Sequence, residues 1–158
     1  PAEKYWDEKL KELAVLAAEN GTRIAEIHAG EQVVDGTGEQ KMSLRCIGPE
    51  MVLSESGNAA SMVLQAEYGN FSMLLTGDVE GAGEKQLVKS GRLGKCRILK
   101  AAHHGSKNSG TEEFLDAVEP QIVLISAGRG NRYGHPHEET LERLKSRNCQ
   151  VWSCHDPK

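Results

Sequence analysis

Residues 71–78 read Phe-Ser-Met-Leu-Leu-Thr-Gly-Asp, and this stretch decides the fold. Before it, residues 61–68 alternate between two faces and a Gly69-Asn70 turn follows, which predicts a β-hairpin. After it, the pattern changes to alternating strands and helices. Strands are predicted at 97–101, 121–126 and 150–153, and helices at 84–89, 111–118 and 136–147. A hairpin followed by such units predicts a layered α/β domain with a mixed sheet.

The N-terminal part of the sequence predicts one helix and three more strands. Trp6, Leu10, Leu13 and Ala17 recur at spacings of three and four residues, and Gly21 follows them. This spacing is typical of an amphipathic helix that ends at a glycine. Three short strands are predicted after the helix, at 24–28, 32–35 and 42–47.

Length and composition indicate a single soluble domain. The 158 residues carry a net charge of −4 and 38% hydrophobic residues, which excludes disorder driven by charge. Apolar runs such as 122–125 are far shorter than the roughly 18 residues that span a bilayer. Nothing near Pro1 has the pattern of a secretory signal. The four cysteines form no Cys-x-x-Cys pair, which argues against a zinc knuckle and favours free thiols.

Charge is distributed unevenly along the chain. Residues 1–90 carry 8 Lys or Arg against 15 Asp or Glu, whereas residues 91–158 carry 11 against 8. The stretch 91–111 holds five basic residues and no acidic one. Such a strip is usually a solvated face, and phosphate binding is the alternative.

Three polar clusters follow predicted strands directly. They are Thr76–Asp78, His103–Ser106 and the loop Gly128–His135. Ligands of open α/β sheets bind outside the carboxyl ends of the strands, so neighbouring strands would bring the three clusters to one edge. The sequence therefore predicts a site at this edge.

The individual residues of these clusters allow more than one interpretation. Asp78 is either the N-cap of the next helix or a ligand. Two adjacent histidines, His103 and His104, are hard to explain by packing, so at least one is predicted to bind metal or act in catalysis. His135 precedes Pro136, a predicted first helical position, which aims its side chain along the helix N-terminus. His137 is predicted to be exposed inside that helix.

Aspartate and histidine together suit a divalent metal such as Zn²⁺ or Mn²⁺. A metal of this kind generates hydroxide at neutral pH, and two such ions clamp a phosphodiester. Asp78 and one or two histidines are too few ligands for a dinuclear centre. The remaining ligands must come from elsewhere, or the centre does not form.

Four motifs carry a resemblance to a known family. They are Asn58-x-x-Ser61-x-Val63-Leu64, Leu74-Leu75-Thr76-Gly77-Asp78, Leu99-Lys100-Ala101-Ala102-His103-His104-Gly105-Ser106-Lys107, and Ser126-x-Gly128 with Asn131-x-Tyr133-Gly134-His135-Pro136. Their order and spacing resemble the later motifs of the metallo-β-lactamase-fold domain in the ComEC family, the competence proteins that bring transforming DNA across the bacterial membrane. The resemblance extends along essentially the whole chain.

The resemblance implies a fold and a set of roles. The fold is a partial αββα sandwich with mixed β-sheets flanked by helices. Asp78 and His104 become metal ligands, with His103 close to the substrate phosphate and His135 at the rim, placed to contact phosphate or carry a proton. Four further residues are implied to bind substrate or support the site: Asn58, Ser61, Ser106 and Lys107. The implied cofactor is Zn²⁺ or Mn²⁺, and the implied reaction is hydrolysis of DNA phosphodiesters by metal-activated water.

The sequence also departs from the family pattern. The first ligand motif of the superfamily, His-x-His-x-Asp-His, is absent. Residues 1–158 are therefore predicted to form the later part of a larger domain, truncated at both ends. The isolated chain is expected to hold little or no metal, to be inactive, and to self-associate through the exposed sheet face or edge.

Two other functions remain open. The parent protein is alternatively another metallo-β-lactamase-fold phosphoesterase, similar to phosphorylcholine esterases. A third possibility is a non-catalytic module that binds single-stranded DNA through Lys100, Lys107, Arg129 and Arg132. In the first and favoured interpretation, the substrate is single-stranded DNA, the parent is a multi-pass membrane protein, and this segment is a soluble part outside the membrane.

Overall fold

A computed structural model describes residues 6–36, 41–51 and 57–154 of the chain. The helices are α1 (Glu8–Glu19), α2 (Ala82–Ser90), α3 (Glu112–Val118) and α4 (Glu138–Lys145). The strands are β1 (Gln32–Asp35), β2 (Met42–Gly48), β3 (Val63–Tyr68), β4 (Phe71–Leu75), β5 (Ile98–Lys100), β6 (Ile122–Ile125) and β7 (Gln150–Ser153). Short 3₁₀ turns occupy Gly57–Ala60 and Ala102–Gly105. The predicted α/β architecture with a mixed sheet and flanking helices is confirmed.

The seven strands form one sheet in the order of the sequence. Strands β1 to β4 pair antiparallel, and β4 to β7 pair parallel. The change occurs at β4, the strand within residues 71–78, because helices α2, α3 and α4 carry the chain from each later strand to the next. The described residues therefore contain one mixed sheet of the predicted sandwich.

One predicted strand is wrong. Residues 24–28 lie outside any strand or helix. The ladder to β2 begins only at Gly30, whose N–H donates to the Cys46 carbonyl, and the Cys46 N–H donates to the Glu31 carbonyl. Residues 24–28 have the composition of a strand, but the backbone hydrogen bonds to β2 begin only at Gly30, after this segment.

The core lies between one face of the sheet and helices α2, α3 and α4. Leu74, Leu99 and Val123 stand side by side on β4, β5 and β6 and are all buried. Phe114 and Leu144 pack into the same cluster from the helices. Burial of this face fixes the helices over the parallel strands, and with them the loops that connect strand to helix.

The opposite sheet face is also apolar but is less covered. Cross-strand pairing places Leu64, Leu75, Leu124 and Trp152 along one row of that face, with Lys100 between Leu75 and Leu124. The three leucines are half-buried, and Trp152 is 64% exposed. We call this surface the open face. Helices α2 to α4 pack on the other side of the sheet, so the sheet is covered fully on one side only.

Candidate active site

The loop after β5 holds two histidines in an uncommon backbone conformation. His103 and His104 have φ values of 45° and 55°, in the left-handed region. Residues other than glycine occupy that region at a cost of about 1–3 kcal/mol each, so the surroundings must hold them there. The His103 N–H donates to the Gly77 carbonyl, and the Ser106 N–H donates to the His103 carbonyl. The first of these bonds joins the loop after β5 to the loop after β4, and the second lies within the loop after β5.

Glycine is required where this loop meets the loop before α4. Gly105 has φ +84°, and a Cβ there would lie 2.7 Å from the Cβ of Pro136. Its carbonyl accepts from the His137 N–H at 3.0 Å. The close approach brings the third predicted cluster against the histidine pair.

Asp78 faces His104 at the carboxyl ends of β4 and β5. Oδ1 of Asp78 lies 3.9 Å from Nε2 of His104. Nδ1 of His104 donates to the Ser126 carbonyl at 2.6 Å, which leaves Nε2 free to accept or to ligate. The Asp78 N–H donates to Oγ of Ser61 at 3.3 Å. The alternative that Asp78 caps the next helix is wrong, because α2 begins at Ala82 with Gly81 at its N-cap.

His103 is held by a carboxylate that the sequence analysis did not predict. Its Nδ1 lies 3.0 Å from Oε2 of Glu80, and the amide of Asn58 lies 3.3 Å from Oε1 of the same carboxylate. Asn58 Nδ2 is also 3.2 Å from His103 Nδ1. Because a carboxylate only accepts, we assign the proton of His103 to Nδ1, and both this N–H and the Asn58 amide donate to Glu80. Nε2 of His103 then presents a lone pair to the site. No sequence motif marks Glu80 as the partner of His103, although its position two residues after Asp78 places it in the same loop.

His135 lies at the centre of the histidine cluster. Its ring centre is 5.2 Å from that of His103, 6.4 Å from that of His104 and 4.7 Å from that of His137. Burial, together with repulsion from the three neighbouring histidines, lowers the pKa of His135. Asn131 holds the backbone of His135: Oδ1 accepts from its N–H at 3.0 Å, and Nδ2 donates to its carbonyl at 2.6 Å. The lowered pKa favours the neutral imidazole of His135, and Asn131 fixes its backbone.

Two predictions about the loop before α4 are wrong. The helix begins at Glu138 with His137 at the N-cap, so Pro136 is not its first helical residue. His137 is half-buried rather than exposed, and its Nδ1 accepts from the Lys107 N–H at 3.2 Å. The physical reason is the bond of the His137 N–H to Gly105, which draws this backbone to the histidine loop instead of into the helix.

Ser106 and Lys107 occupy different positions. Ser106 is 3% exposed; its Oγ accepts from the Asn108 N–H, and its carbonyl accepts from Oγ1 of Thr140. It therefore supports the loop rather than facing a substrate. The Lys107 side chain is exposed at the rim.

A buried carboxylate and a guanidinium clamp the segment after the histidines. Glu84 is fully buried, and its two oxygens accept from the N–H groups of Gly110 and Thr111 at 2.6 and 2.9 Å. Burial raises the pKa of Glu84, although the two backbone donors and Arg143 oppose that rise. Arg143 donates to the carbonyls of Lys107, Ser109 and Gly110. Residues 107–111 are therefore fixed by Glu84, which accepts from their N–H groups, and by Arg143, which donates to their carbonyls.

The substitution Glu84→Gln should destabilise the fold by about 1–3 kcal/mol. Glutamine keeps the shape but offers one acceptor oxygen, so its amide group meets a backbone N–H with another donor. Urea unfolding followed by circular dichroism measures the change. Glu113→Gln, on the exposed side of α3, is the matched control and should alter the unfolding free energy by less than about 0.5 kcal/mol. Equal effects from both variants would contradict the clamp.

The described residues do not complete a metal site. Asp78 and His104 provide two donors of suitable type, with the tautomer of His104 fixed by Ser126. A zinc site takes at least three protein ligands. Among the described residues, no group of three or more His, Cys, Asp or Glu side chains is arranged to hold a metal ion. The residues present therefore fit one part of a metal site and not the whole of one.

A solved structure shares the fold of this chain. The chain resembles the solved structure of a protein described as a metal-dependent hydrolase, from Parabacteroides distasonis. The TM-score is 0.57 at 12% identity, and the match covers 89% of this chain and 61% of that one. At this identity the likeness shows the fold alone. No family model matches the sequence.

Curated relatives define the family. ComE operon protein 3 of Bacillus subtilis is 37% identical over 147 residues, which cover 92% of this chain and 18% of that protein. Recombination protein 2 of Haemophilus influenzae is 37% identical over 105 residues, and competence protein ComA of Neisseria gonorrhoeae is 36% identical over 95. The chain belongs to the ComEC family of competence proteins, as its motifs predicted. It spans 13–18% of the length of these relatives.

Within residues 6–36, 41–51 and 57–154, no helix combines the length and apolar character that crossing a bilayer requires.

Proposed function

We propose that this chain carries the later half of a metal-dependent phosphodiesterase site in a DNA-uptake protein. The observation that supports it most strongly is the convergence of Asp78, His103, His104 and His135 at the carboxyl ends of β4, β5 and β6. Imidazole and carboxylate groups converging at such an edge are suited to ligating a divalent metal and to moving protons. One relative is named as a competence protein, and on that ground we propose DNA uptake as the setting.

In this proposal the chain's residues divide into two pairs. Asp78 and His104 donate to a Zn²⁺ or Mn²⁺ ion whose other ligands lie outside the described residues. His103, with its Nδ1 proton held by Glu80, presents Nε2 as the group that accepts or returns a proton near the phosphate. His135, kept neutral by burial and by its neighbours, contacts a phosphate oxygen as a hydrogen-bond donor. Ser61 and Asn58 orient Asp78 and His103 respectively.

We also propose that further residues of the same protein cover the open face. That face carries half-buried leucines and the exposed Trp152, an unusual surface for a sheet that faces water. The solved hydrolase fold extends beyond the matched part, since this chain covers 61% of it. A second layer over the open face would turn the single sheet into the predicted αββα sandwich. Residues outside the described ranges would then supply the missing metal ligands.

The isolated chain should self-associate through the open face. Apolar surface left exposed on one side of a sheet favours pairing with a second copy. Sedimentation velocity at increasing protein concentration should show dimers or larger species, and Trp152→Lys should shift the distribution toward monomer because it places a charge on that surface. A clean monomer at the highest concentration, for the unsubstituted chain, would count against this expectation.

The function is tested on the chain joined to the residues encoded upstream of Pro1. With Mn²⁺ or Zn²⁺ supplied, this protein should degrade single-stranded DNA and should act poorly on a choline phosphodiester. The opposite preference would favour the phosphorylcholine esterase alternative. DNA binding without cleavage would favour the non-catalytic module. Lys100 is poorly suited to bind DNA in such a module, because it is half-buried and its Nζ donates to the Ala101 carbonyl.

The same proposal covers the location and the partner of the whole protein. We expect a multi-pass membrane protein that holds this segment outside the bilayer, close to the entering DNA. Single-stranded DNA is the expected partner of the segment itself.

A further inference from the structure

We infer that Tyr133 and Arg132 form a nucleobase-binding subsite beside His135. The inference rests on the proposed function, because it concerns the strand whose phosphate would lie at the histidine cluster. Tyr133 is 60% exposed, and its ring stacks on that of His135 with a centre-to-centre distance of 5.8 Å and an interplanar angle of 24°. The ligand class is an unpaired base of a single-stranded nucleic acid.

The position of Tyr133 distinguishes it from other exposed aromatic residues. Phe71 and Trp152 are also exposed, but both lie on strands and face the open side of the sheet. Tyr133 lies in the loop between β6 and α4, and its ring contacts the central histidine rather than the core. An aromatic ring that is largely exposed contributes little to the stability of the fold. Beside a candidate catalytic residue, it offers a planar surface on which a substrate can stack.

Arg132 makes the subsite suitable for a nucleotide. Its guanidinium carbon lies 4.8 Å from the centre of the Tyr133 ring, and its Nη2 donates to the Tyr133 hydroxyl at 2.5 Å. Arg129 lies in the same loop and is exposed. Residues 121–137 contain no acidic residue, so the loop attracts a phosphate backbone. A positive groove with an aromatic ring on which bases stack is the usual arrangement in proteins that bind single strands.

The geometry links the subsite to the reaction. Because Tyr133 stacks on His135, a phosphate bound by His135 or His103 brings the base of the same or the adjacent nucleotide against the Tyr133 ring. The exposed guanidinium of Arg132, which lies against the Tyr133 ring, is placed to pair with the next phosphate. Stacking on a tyrosine ring accepts any base, so the subsite should favour single strands over duplexes without selecting a sequence.

Fluorescence anisotropy of the 158-residue chain tests the inference without requiring activity. Two labelled oligonucleotides of equal length and charge are compared, one with bases and one with abasic sites throughout. The chain should bind the base-containing strand more tightly. Tyr133→Ala should weaken binding of that strand by about 5- to 150-fold and leave the abasic strand unaffected. Tyr133→Phe, which keeps the ring, and Tyr68→Ala, which removes a tyrosine on the open face, should both behave like the unsubstituted chain.

The outcomes separate the inference from the function. If Tyr133→Ala weakens both strands equally, or neither, the subsite is overturned while DNA binding stands. If the unsubstituted chain binds neither strand, the proposed DNA substrate fails and the subsite fails with it. Photocrosslinking of the unsubstituted chain to an oligonucleotide containing iodouracil gives a second measurement that needs no variant. Crosslinks should map to Tyr133, and crosslinks found only elsewhere would overturn the subsite.

Discussion

Replacing Asp78 by Asn should reduce metal-dependent phosphodiester hydrolysis about 1,000-fold or more in the chain joined to its upstream residues. Asparagine keeps the size of the side chain and its backbone bond to Ser61, but removes the charge that faces His104. Metal-based stabilisation of a phosphoryl transition state is worth several kcal/mol, and each 1.36 kcal/mol is tenfold in rate. Initial rates at saturating Mn²⁺ or Zn²⁺ measure the loss.

Asp116→Asn is the matched control for this prediction. Asp116 is an exposed carboxylate on α3, and it pairs with Arg147 at 2.7 Å. Surface pairs of this kind contribute about 0–1 kcal/mol, so the hydrolysis rate should remain close to that of the unsubstituted protein. If the Asp78 variant retained the rate of the control, Asp78 would not belong to the reacting site.

Phe114→Ala should remove much of the stability of the fold. Phe114 is 1% exposed at the centre of the core, and the sequence has only two phenylalanines with which to fill it. Truncation of a buried phenylalanine costs about 3–5 kcal/mol, because the space left behind is not refilled. Domains of this size are stable by about 5–15 kcal/mol in total. We therefore expect a large shift of the urea midpoint, or loss of the folded state.

The other phenylalanine provides the control for that experiment. Phe71 is 42% exposed at the start of β4. Phe71→Ala should cost about 1–2 kcal/mol, less than Phe114→Ala, because nearly half of its surface already meets water. A similar loss of stability in both variants would show that the open face is as well packed as the core.

Local patterns predicted the fold wherever the structure depends on local contacts. The hairpin of β3 and β4 and the alternating units after residue 78 were readable because periodicity and turns determine them. The strand predicted at 24–28 is absent because a strand needs a hydrogen-bonded partner, and the bonds to β2 begin only at Gly30. The predicted exposure of His137 inside the helix is wrong for a similar reason. Its N–H donates to Gly105, in a loop more than thirty residues away in sequence.

The candidate site was predictable in outline and not in detail. Asp78, His103 and His135 converge because each follows a strand and the three strands are parallel neighbours. Glu80 and Glu84 were missed, since only the folded chain shows that one bonds a histidine and the other the loop behind it. Which of the two adjacent histidines faces Asp78 depends on the left-handed backbone, which no sequence pattern revealed.

The structure also relates the one-sided packing of the sheet to the incomplete site. Further residues over the open face would explain both features: the sheet is packed on one side, and Asp78 with His104 is two side chains of a type that zinc sites use in groups of at least three. A single missing layer would complete the core and the ligand set together. The central claim is therefore that this chain needs further residues in order to act.

The most direct measurement is a titration of the isolated chain with Zn²⁺ and with Mn²⁺ in the presence of a phosphodiester substrate. The chain by itself should show no turnover above the metal ions alone, whereas the chain joined to its upstream residues should turn over and lose that activity with Asp78→Asn. Robust metal-dependent turnover by the isolated chain would contradict the account, because it would mean that these residues hold a complete site.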